Sequence, residues 1–170
     1  TQPRGLDALY EIDMAGIKPP RIIFQPSGGL NGFVIMDDGY LYGPQGTLGT
    51  VVRVDLTSGE HKVLADGFHD PTGVKSDSKG NLYVNELVTG TLYRFDPNTG
   101  EKTVIAQLSP GNDNITISAD DLIYVSNPAN NSIEEVNPRT GHVRDVLRGN
   151  VSGPGGWAIQ EIDGTEWVSV

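Results

Sequence analysis

Cysteine is absent from this chain of 170 residues. Its absence excludes a disulfide framework, a thiolate nucleophile and a zinc site built from cysteines. Long apolar runs are missing too, and nothing in the sequence resembles a transmembrane span. Apolar residues never recur at helical spacing, so we expect no helix. These absences leave a chain of short strands and turns, which the 22 glycines and 11 prolines suit.

Basic residues are scarce. Twelve Lys and Arg against 22 Asp and Glu give a formal net charge of −10. Such a balance disfavours nucleic acid and anionic membranes as partners and tolerates bound cations well. The chain begins at Thr1 without a methionine, so we expect that a signal peptide, a longer N-terminal region or an added segment was removed. Three triplets fit the N-glycosylation pattern, which favours a secreted or periplasmic protein: Asn114-Ile115-Thr116, Asn130-Asn131-Ser132 and Asn150-Val151-Ser152.

One short phrase recurs three times in the sequence. Its copies contain Gly59, Gly100 and Gly141, which stand 41 residues apart, and each copy follows a run of alternating apolar residues that ends in Asp or Asn. Because glycine tolerates positive φ, each copy predicts the turn of a β-hairpin. A period of about 40 to 50 residues with several strands per unit is typical of β-propeller blades.

We therefore predict an all-β fold: a single β-propeller domain with four-stranded blades of about 41 residues. The chain holds about four blade-equivalents. Their predicted bounds are a half blade in residues 1–28, complete blades in 29–69, 70–110 and 111–153, and a half blade in 154–170.

The two half blades allow two arrangements. The chain could be an arc of a six-bladed propeller, which would need a second chain or a second copy to complete it. Alternatively, the first and last strands could share one composite blade and close a four-bladed ring without exposed edges. We favour the arc because of the resemblance described below; its open strand edges would be prone to aggregation, so this arrangement requires a partner.

Chemistry in a propeller concentrates where the innermost strands begin, since those ends converge on the central tunnel. The 41-residue register places Asn31, Thr72 and Asp113 at that position, alignment of the repeats adds Gly156, and Asn114 follows Asp113. Amide and carboxylate oxygens in a ring suit a hard cation, calcium above all. The alternative is turn chemistry, because Asn before Gly favours turns and an Asp-Asn pair can cap its own backbone.

Parts of the sequence resemble the paraoxonase and senescence marker protein/gluconolactonase superfamily. The resemblance rests on Leu30-Asn31-Gly32, on residues 80–88, and on 113–118 followed by Leu-Ile-Tyr-Val at 122–125. It covers roughly residues 29–136. It implies a six-bladed propeller with a catalytic calcium held by Asn31, Asp113 and Asn114.

The sequence departs from that family at two places. Thr72 stands where the family commonly has Asn, and the early-blade Glu ligand has no counterpart. The same superfamily contains strictosidine-synthase-like members without a catalytic metal, so the resemblance also keeps a metal-free synthase or lyase open.

The resemblance implies a calcium-dependent hydrolase of a lactone or ester, or a portion of one. Calcium would polarise the carbonyl while a carboxylate or histidine takes a proton from water, with Asp113 as ligand and base and His69 as a second catalytic candidate. The competing interpretation is a non-catalytic propeller that binds a protein or a small ligand.

Three further residues are candidates for substrate contact: Thr72, Glu86 and Trp157. For Glu86 the alternative is a solvated rim carboxylate, and for Trp157 it is packing between blades. We expect His61 and His142 to lie at the opposite end of the blades, as structural or exposed residues. The segment at 44–49 is longer than its counterparts and predicts a mobile rim loop.

Overall fold

The computed structural model describes residues 8–25 and 28–149 with their side chains, and the backbone of two strands that follow them. Within this part it contains sixteen β-strands and a single turn of 3-10 helix at Gly46–Leu48. No helix in the described residues is long and apolar enough to cross a bilayer.

The strands follow one another as consecutive antiparallel hairpins. In chain order they are β1 (Leu9–Glu11), β2 (Arg21–Phe24), β3 (Val34–Ile35), β4 (Tyr40–Gln45), β5 (Thr50–Asp55), β6 (His61–Ala65), β7 (Pro71–Ser76), β8 (Leu82–Glu86), β9 (Thr91–Phe95), β10 (Lys102–Gln107), β11 (Ile115–Ile117), β12 (Ile123–Asn127), β13 (Ser132–Val136), β14 (Val143–Arg148), β15 (Ala158–Ile162) and β16 (Thr165–Ser169). The sheets β3–β6, β7–β10 and β11–β14 each have four strands in sequence order, and we call them the first, second and third blade. The predicted all-β architecture is confirmed.

The hydrophobic core lies between neighbouring blades, because adjacent residues of a strand point to opposite faces. Val74 on β7 packs with Tyr42 and Val51 of the first blade. Tyr83 on β8 faces the other way and packs with Ile115 and Ile123 of the third blade. Full burial of such a side chain contributes roughly 1.5–3 kcal/mol to stability, so the second blade is held by both of its neighbours.

The repeated turn glycines have two separate reasons to be glycine. Gly59, Gly100 and Gly141 have φ of 77°, 78° and 72°, and each donates its N–H to the Asp or Asn carbonyl that opens the turn, at 2.8–2.9 Å. Each also lies against a carbonyl of the preceding sheet's last strand, belonging in turn to Ile23, Leu64 and Ile105. A Cβ at any of the three would collide with that carbonyl.

The half blades form separate sheets. β1 pairs with β2, and β15 pairs with β16, but these two sheets are not joined to each other in the described strands. The composite blade of a closed four-bladed ring would require β16 to pair with β1. That alternative is therefore not the arrangement of this structure.

The segment at 44–49 differs from our expectation of a loop. Pro44 and Gln45 extend β4 opposite Val51 and Thr50, and the next three residues form the 3-10 turn. The expectation that helix is absent is wrong by this one turn, which ends at Gly49 in the left-handed conformation with φ 62°.

Candidate functional site at the starts of the innermost strands

The innermost strands β3, β7 and β11 run side by side, so their starts lie at one end of the blades. Gly32 forms a parallel bridge with Gly73, because the Gly32 N–H donates to the Thr72 carbonyl at 3.0 Å and the Val74 N–H donates to the Gly32 carbonyl at 2.7 Å. Strand β11 contacts β7 on the other side. We call this end of the blades the rim.

Asp113 holds a half-buried position on the rim. Its N–H donates to the Ser126 carbonyl at 3.0 Å, which fixes the backbone just before β11. Burial raises the pKa of the Asp113 carboxyl above its ordinary value. Among the described residues its carboxylate has no hydrogen-bond or ion-pair partner, so it is available to a ligand or a proton.

Thr72 is turned into the protein rather than toward the tunnel. It is 5% exposed; its hydroxyl donates to the Asn112 carbonyl at 3.3 Å and accepts from Asn85 Nδ2 at 2.9 Å. Direct contact between this hydroxyl and a substrate, as proposed from the sequence, does not agree with this placement. Thr72 instead ties the second blade to the loop that leads into the third.

Asn114 lies against Gly32, the residue that follows Asn31. Asn31 is exposed, and its Oδ1 accepts from the Gly32 N–H at 2.9 Å. The Asn114 Oδ1 would lie 2.7 Å from a Cβ added to Gly32. Glycine at 32 therefore leaves the space that the Asn114 amide occupies.

Asn85, which the sequence analysis did not single out, joins the start of β7 to the residues that precede β11. It is fully buried on β8, and its Nδ2 donates to the Thr72 hydroxyl and, at 3.3 Å, to the Asp113 carbonyl. Its Oδ1 has no partner among the described residues. An amide directly after the apolar run Leu82–Val84 of the predicted strand was the available signal, since buried amides need hydrogen-bonding partners.

Glu86 is not the solvated rim carboxylate that we gave as the alternative to substrate contact. Its side chain is 0% exposed, and its Oε1 accepts from the His69 N–H at 2.9 Å while its Oε2 bonds to the Thr89 hydroxyl. His69 Nδ1 lies 3.7 Å from Oε1, with the His69 side chain 66% exposed. Glu86 thus anchors the loop before β7, and His69 presents its ring at the rim surface.

The same anchor recurs in the third blade. Asn127 occupies the position 41 residues after Glu86, and its Nδ2 donates to the carbonyls of Ser109 and Pro110 at 3.0 Å each. In both blades the last residue of the second strand holds the loop that leads into that blade's innermost strand. This shared structural task accounts for the burial of Glu86 without a substrate.

Among the described residues, three other than glycine have positive φ: Asp70, Asp121 and Asn131, at 56°, 67° and 51°. The 41-residue register pairs each of them with glycines in the two other blades, for Asp70 with Gly29 and Gly111. Left-handed backbone costs about 1 kcal/mol or more outside glycine. Asp121 offsets this cost with hydrogen bonds from the Ser78 N–H and hydroxyl at 2.8 and 3.0 Å.

Asp70 lies at the rim beside the start of β7. A Cβ added to Gly46 would lie 2.6 Å from Asp70 Oδ1, and the positions equivalent to Gly46 hold Leu87 and Pro128. Asp in place of glycine at 70 and glycine in place of a larger residue at 46 therefore go together: the second leaves space for the Asp70 carboxylate. The exchange of glycine for Asp at 70 was a signal that sequence reasoning missed.

The remaining predicted residues divide into two groups. His61 packs at a tilt of 48° against Phe24 of the preceding sheet, with ring centroids 4.7 Å apart, and His142 is exposed beside the Gly141 turn, as expected. Gly156 and Trp157 lie outside the described residues.

No cluster of three or more His, Asp or Glu side chains that could hold a metal occurs in the described part of the chain. The predicted donor set of Asn31, Asp113 and Asn114 contains a single carboxylate. This part of the rim thus offers mainly amide oxygens together with one carboxyl of raised pKa.

Comparison with known proteins gives structural likeness only. No protein-family model matches the sequence, and no curated protein matches it. Among solved structures, a chain of a nidogen/laminin complex matches 81% of this chain with a TM-score of 0.73 and 15% identity. Virginiamycin B lyase from Staphylococcus aureus matches 94% of it with a TM-score of 0.73 and 18% identity. The chain adopts the β-propeller fold.

A third β-propeller with this likeness is a gluconolactonase from Xanthomonas campestris, with a TM-score of 0.61, 15% identity and 81% of this chain covered. The chain spans between 55% and 60% of the length of these three proteins. Identities this low show a shared fold, and they leave the activity to be argued from the rim itself.

Proposed function

We propose that the rim around Asp113 belongs to the active site of a hydrolase that acts on a lactone or an ester. The observation that carries this proposal is the half-buried Asp113 carboxyl of raised pKa, which has no partner in the described residues. A carboxyl poised closer to neutral pH is suited to take a proton from water. The fold likeness to a gluconolactonase supports the substrate class.

The surrounding residues would divide the remaining work. Asn85 and Ser126 hold the Asp113 backbone from two sides, which limits its movement during a proton transfer. His69, mostly exposed on the same rim, is available as a second proton carrier.

Calcium fits the chemistry of the donor set. Asn31, Asp113 and Asn114 supply three oxygen donors of the kind that calcium prefers, and the missing Cβ of Gly32 leaves room for the Asn114 amide. When bound, the ion would stabilise negative charge developing on a substrate oxygen. Calcium takes six to eight oxygens, so water, substrate or a second chain completing the propeller would supply the others.

The test combines native mass spectrometry with a hydrolysis assay. We expect bound calcium, and hydrolysis of simple lactones such as γ-butyrolactone or of 4-nitrophenyl acetate. Asp113→Asn should lower kcat by at least about a hundredfold, because it removes the proton acceptor, whereas Asp37→Asn at an exposed turn should leave kcat unchanged. A monomer without calcium and without hydrolysis of either substrate class would overturn the proposal.

A metal-free lyase is the second candidate, because the Thr72 hydroxyl is committed to Asn112 and Asn85 and cannot turn to an ion. The fold likeness to virginiamycin B lyase agrees with it. In this case Asp113 would abstract a proton from carbon. An activity that is lost in Asp113→Asn but is unaffected by chelators would favour the lyase; binding without turnover would favour a non-catalytic propeller.

A further inference from the structure

Lys75 is a cation in the wall of the innermost strands. Its strand partner Tyr83 faces the third blade, yet the Lys75 Nζ donates to the Phe33 carbonyl beside the first blade's β3 at 2.7 Å. The side chain must therefore cross the axial edge of β7 to reach Phe33. It is only partly exposed, so its ammonium group lies along the inner wall below the rim.

The charge of Lys75 has no acidic counterpart among the described residues. No carboxylate lies within ion-pair distance of its Nζ in that part of the chain. The nearest acid along the strand, Asp77, is occupied by the Asn81 amide at 2.8 Å and the Tyr83 hydroxyl at 3.1 Å. Burial lowers the pKa of Lys75, and no carboxylate opposes this effect.

A partly buried lysine without an acidic partner is unexpected in a protein with an excess of acidic residues. Acidic residues exceed basic ones by ten, so a partner for one inner lysine would be easy to supply. Partly buried charges are normally paired, because desolvation penalises an isolated one. The Phe33 carbonyl satisfies one of the three ammonium donors, which leaves the charge and further donors to an anion.

We propose that Lys75 is the centre of an anion site that binds the carboxylate of a small organic acid. This inference rests on the proposed hydrolase activity for its ligand class, since opening a lactone or ester releases a carboxylate at the rim above Lys75. The carboxylate would accept hydrogen bonds from the Lys75 ammonium, whose charge it balances. Lys75 would then act in holding the ring-opened product rather than in the chemical step.

The competing role for Lys75 is purely structural: a strut that links β7 to Phe33. Lys75→Gln separates the two roles, because a glutamine amide can still donate to the Phe33 carbonyl but carries no charge. Lys79→Gln is the matched control, since Lys79 is exposed on the turn that follows β7, at the end away from the rim.

The experiment measures binding of 4-hydroxybutyrate and of its neutral lactone, γ-butyrolactone, by NMR titration of the whole chain. We expect the acid to shift backbone resonances around Lys75 and Phe33, and Lys75→Gln to weaken its binding at least about tenfold, the order expected for losing a charged partner. The affinity for the lactone should change less than about twofold in Lys75→Gln. In Lys79→Gln the affinities for both ligands should also change less than about twofold.

The outcomes separate this site from the proposed activity. Acid binding that depends on Lys75 without any hydrolysis would support the anion site and count against the hydrolase. Hydrolysis with equal acid affinity in Lys75→Gln and the unaltered chain would overturn the anion site alone. A variant that loses stability but keeps its acid affinity would show that Lys75 is a strut, which also overturns the proposal.

Discussion

The loops that lead into the second and third blades follow the same path but are held by opposite chemistry. Before β7, Phe68 packs edge-on against Tyr93 with centroids 5.8 Å apart, and Lys102 Nζ lies 4.2 Å above its ring. At the equivalent positions before β11, Ser109 donates to Glu134 at 3.3 Å. The two positions that hold an aromatic pair in the second blade thus hold a hydroxyl and a buried carboxyl in the third.

The polar loop before β11 and the residues around it also include buried hydrogen-bonding groups without partners in the described part of the chain. Glu134 is 5% exposed, and burial raises the pKa of its carboxyl. Its Oε2, the Ser132 hydroxyl and the Asn112 Nδ2 are buried without partners among the described residues. The comparison shows that one backbone frame can be held by dispersion or by hydrogen bonds. The hydrogen-bonded version lies beside Asp113, where the candidate chemistry is.

Phe68→Ala should break the apolar loop with the largest effect. Phe68 is 6% exposed, and removing a buried Phe side chain costs about 3–5 kcal/mol of unfolding free energy. Urea unfolding followed by tryptophan fluorescence measures this change. A loss below about 1 kcal/mol would show that the aromatic pair does not hold the loop.

Asn85→Ala should have the next largest effect, because the amide joins the second blade to the third. The first blade has Pro44 at this position, so no equivalent link exists there. We expect a loss of about 2 kcal/mol together with a lower kcat, since Asp113 loses one of its backbone supports. Asn130→Ala, at an exposed turn, should change neither quantity.

Glu134→Gln should make the polar loop more stable at neutral pH. A carboxyl whose pKa is higher in the folded state binds its proton more tightly there, so the unfolding free energy falls as pH rises from the ordinary value of 4.5 through the raised one. The variant does not titrate and should be more stable by on the order of 1 kcal/mol at pH 7.5, with the difference shrinking toward pH 4. Glu101→Gln, which is exposed, should show no such dependence in urea unfolding.

Ser109→Ala should have the smallest effect. Glu134 also receives the Ser109 backbone N–H, so losing the hydroxyl removes one of two donors and should cost about 0.5–1 kcal/mol. Equal losses in Ser109→Ala and Phe68→Ala, measured under the same urea conditions, would erase the contrast between the loops.

Much of the fold was predictable because one period governs it. The 41-residue spacing of Gly59, Gly100 and Gly141 predicted blades of four antiparallel strands, as observed, since turn chemistry and alternation are local properties. The rim was predicted less well. Asn31, Asp113 and Asn114 lie where the register placed them, but their role as ligands stays a prediction.

The errors at the rim have a common physical cause. Glu86 and Thr72 were expected to face solvent or the tunnel, yet Glu86 is bonded to the loop that leads into its own blade and Thr72 to the loop that leads into the third. Such burial depends on how the loops lie over the strand ends, which alternation along one strand does not reveal. Comparing equivalent positions would have helped: Gln45, Glu86 and Asn127 are polar in all three blades, a pattern that indicates a shared structural contact.

The contact between each turn glycine and the preceding sheet has a consequence for how the molecule unfolds. The turn of each blade covers the last strand of the sheet before it, at Ile23, Leu64 and Ile105. The outer two strands of a blade therefore cannot unfold without exposing the preceding sheet. Such nearest-neighbour coupling favours cooperative melting over blade-by-blade loss. The two-stranded sheet β1–β2 is linked in the same way through Gly59. It should therefore share the protection from hydrogen exchange of the complete blades rather than fray as an isolated hairpin.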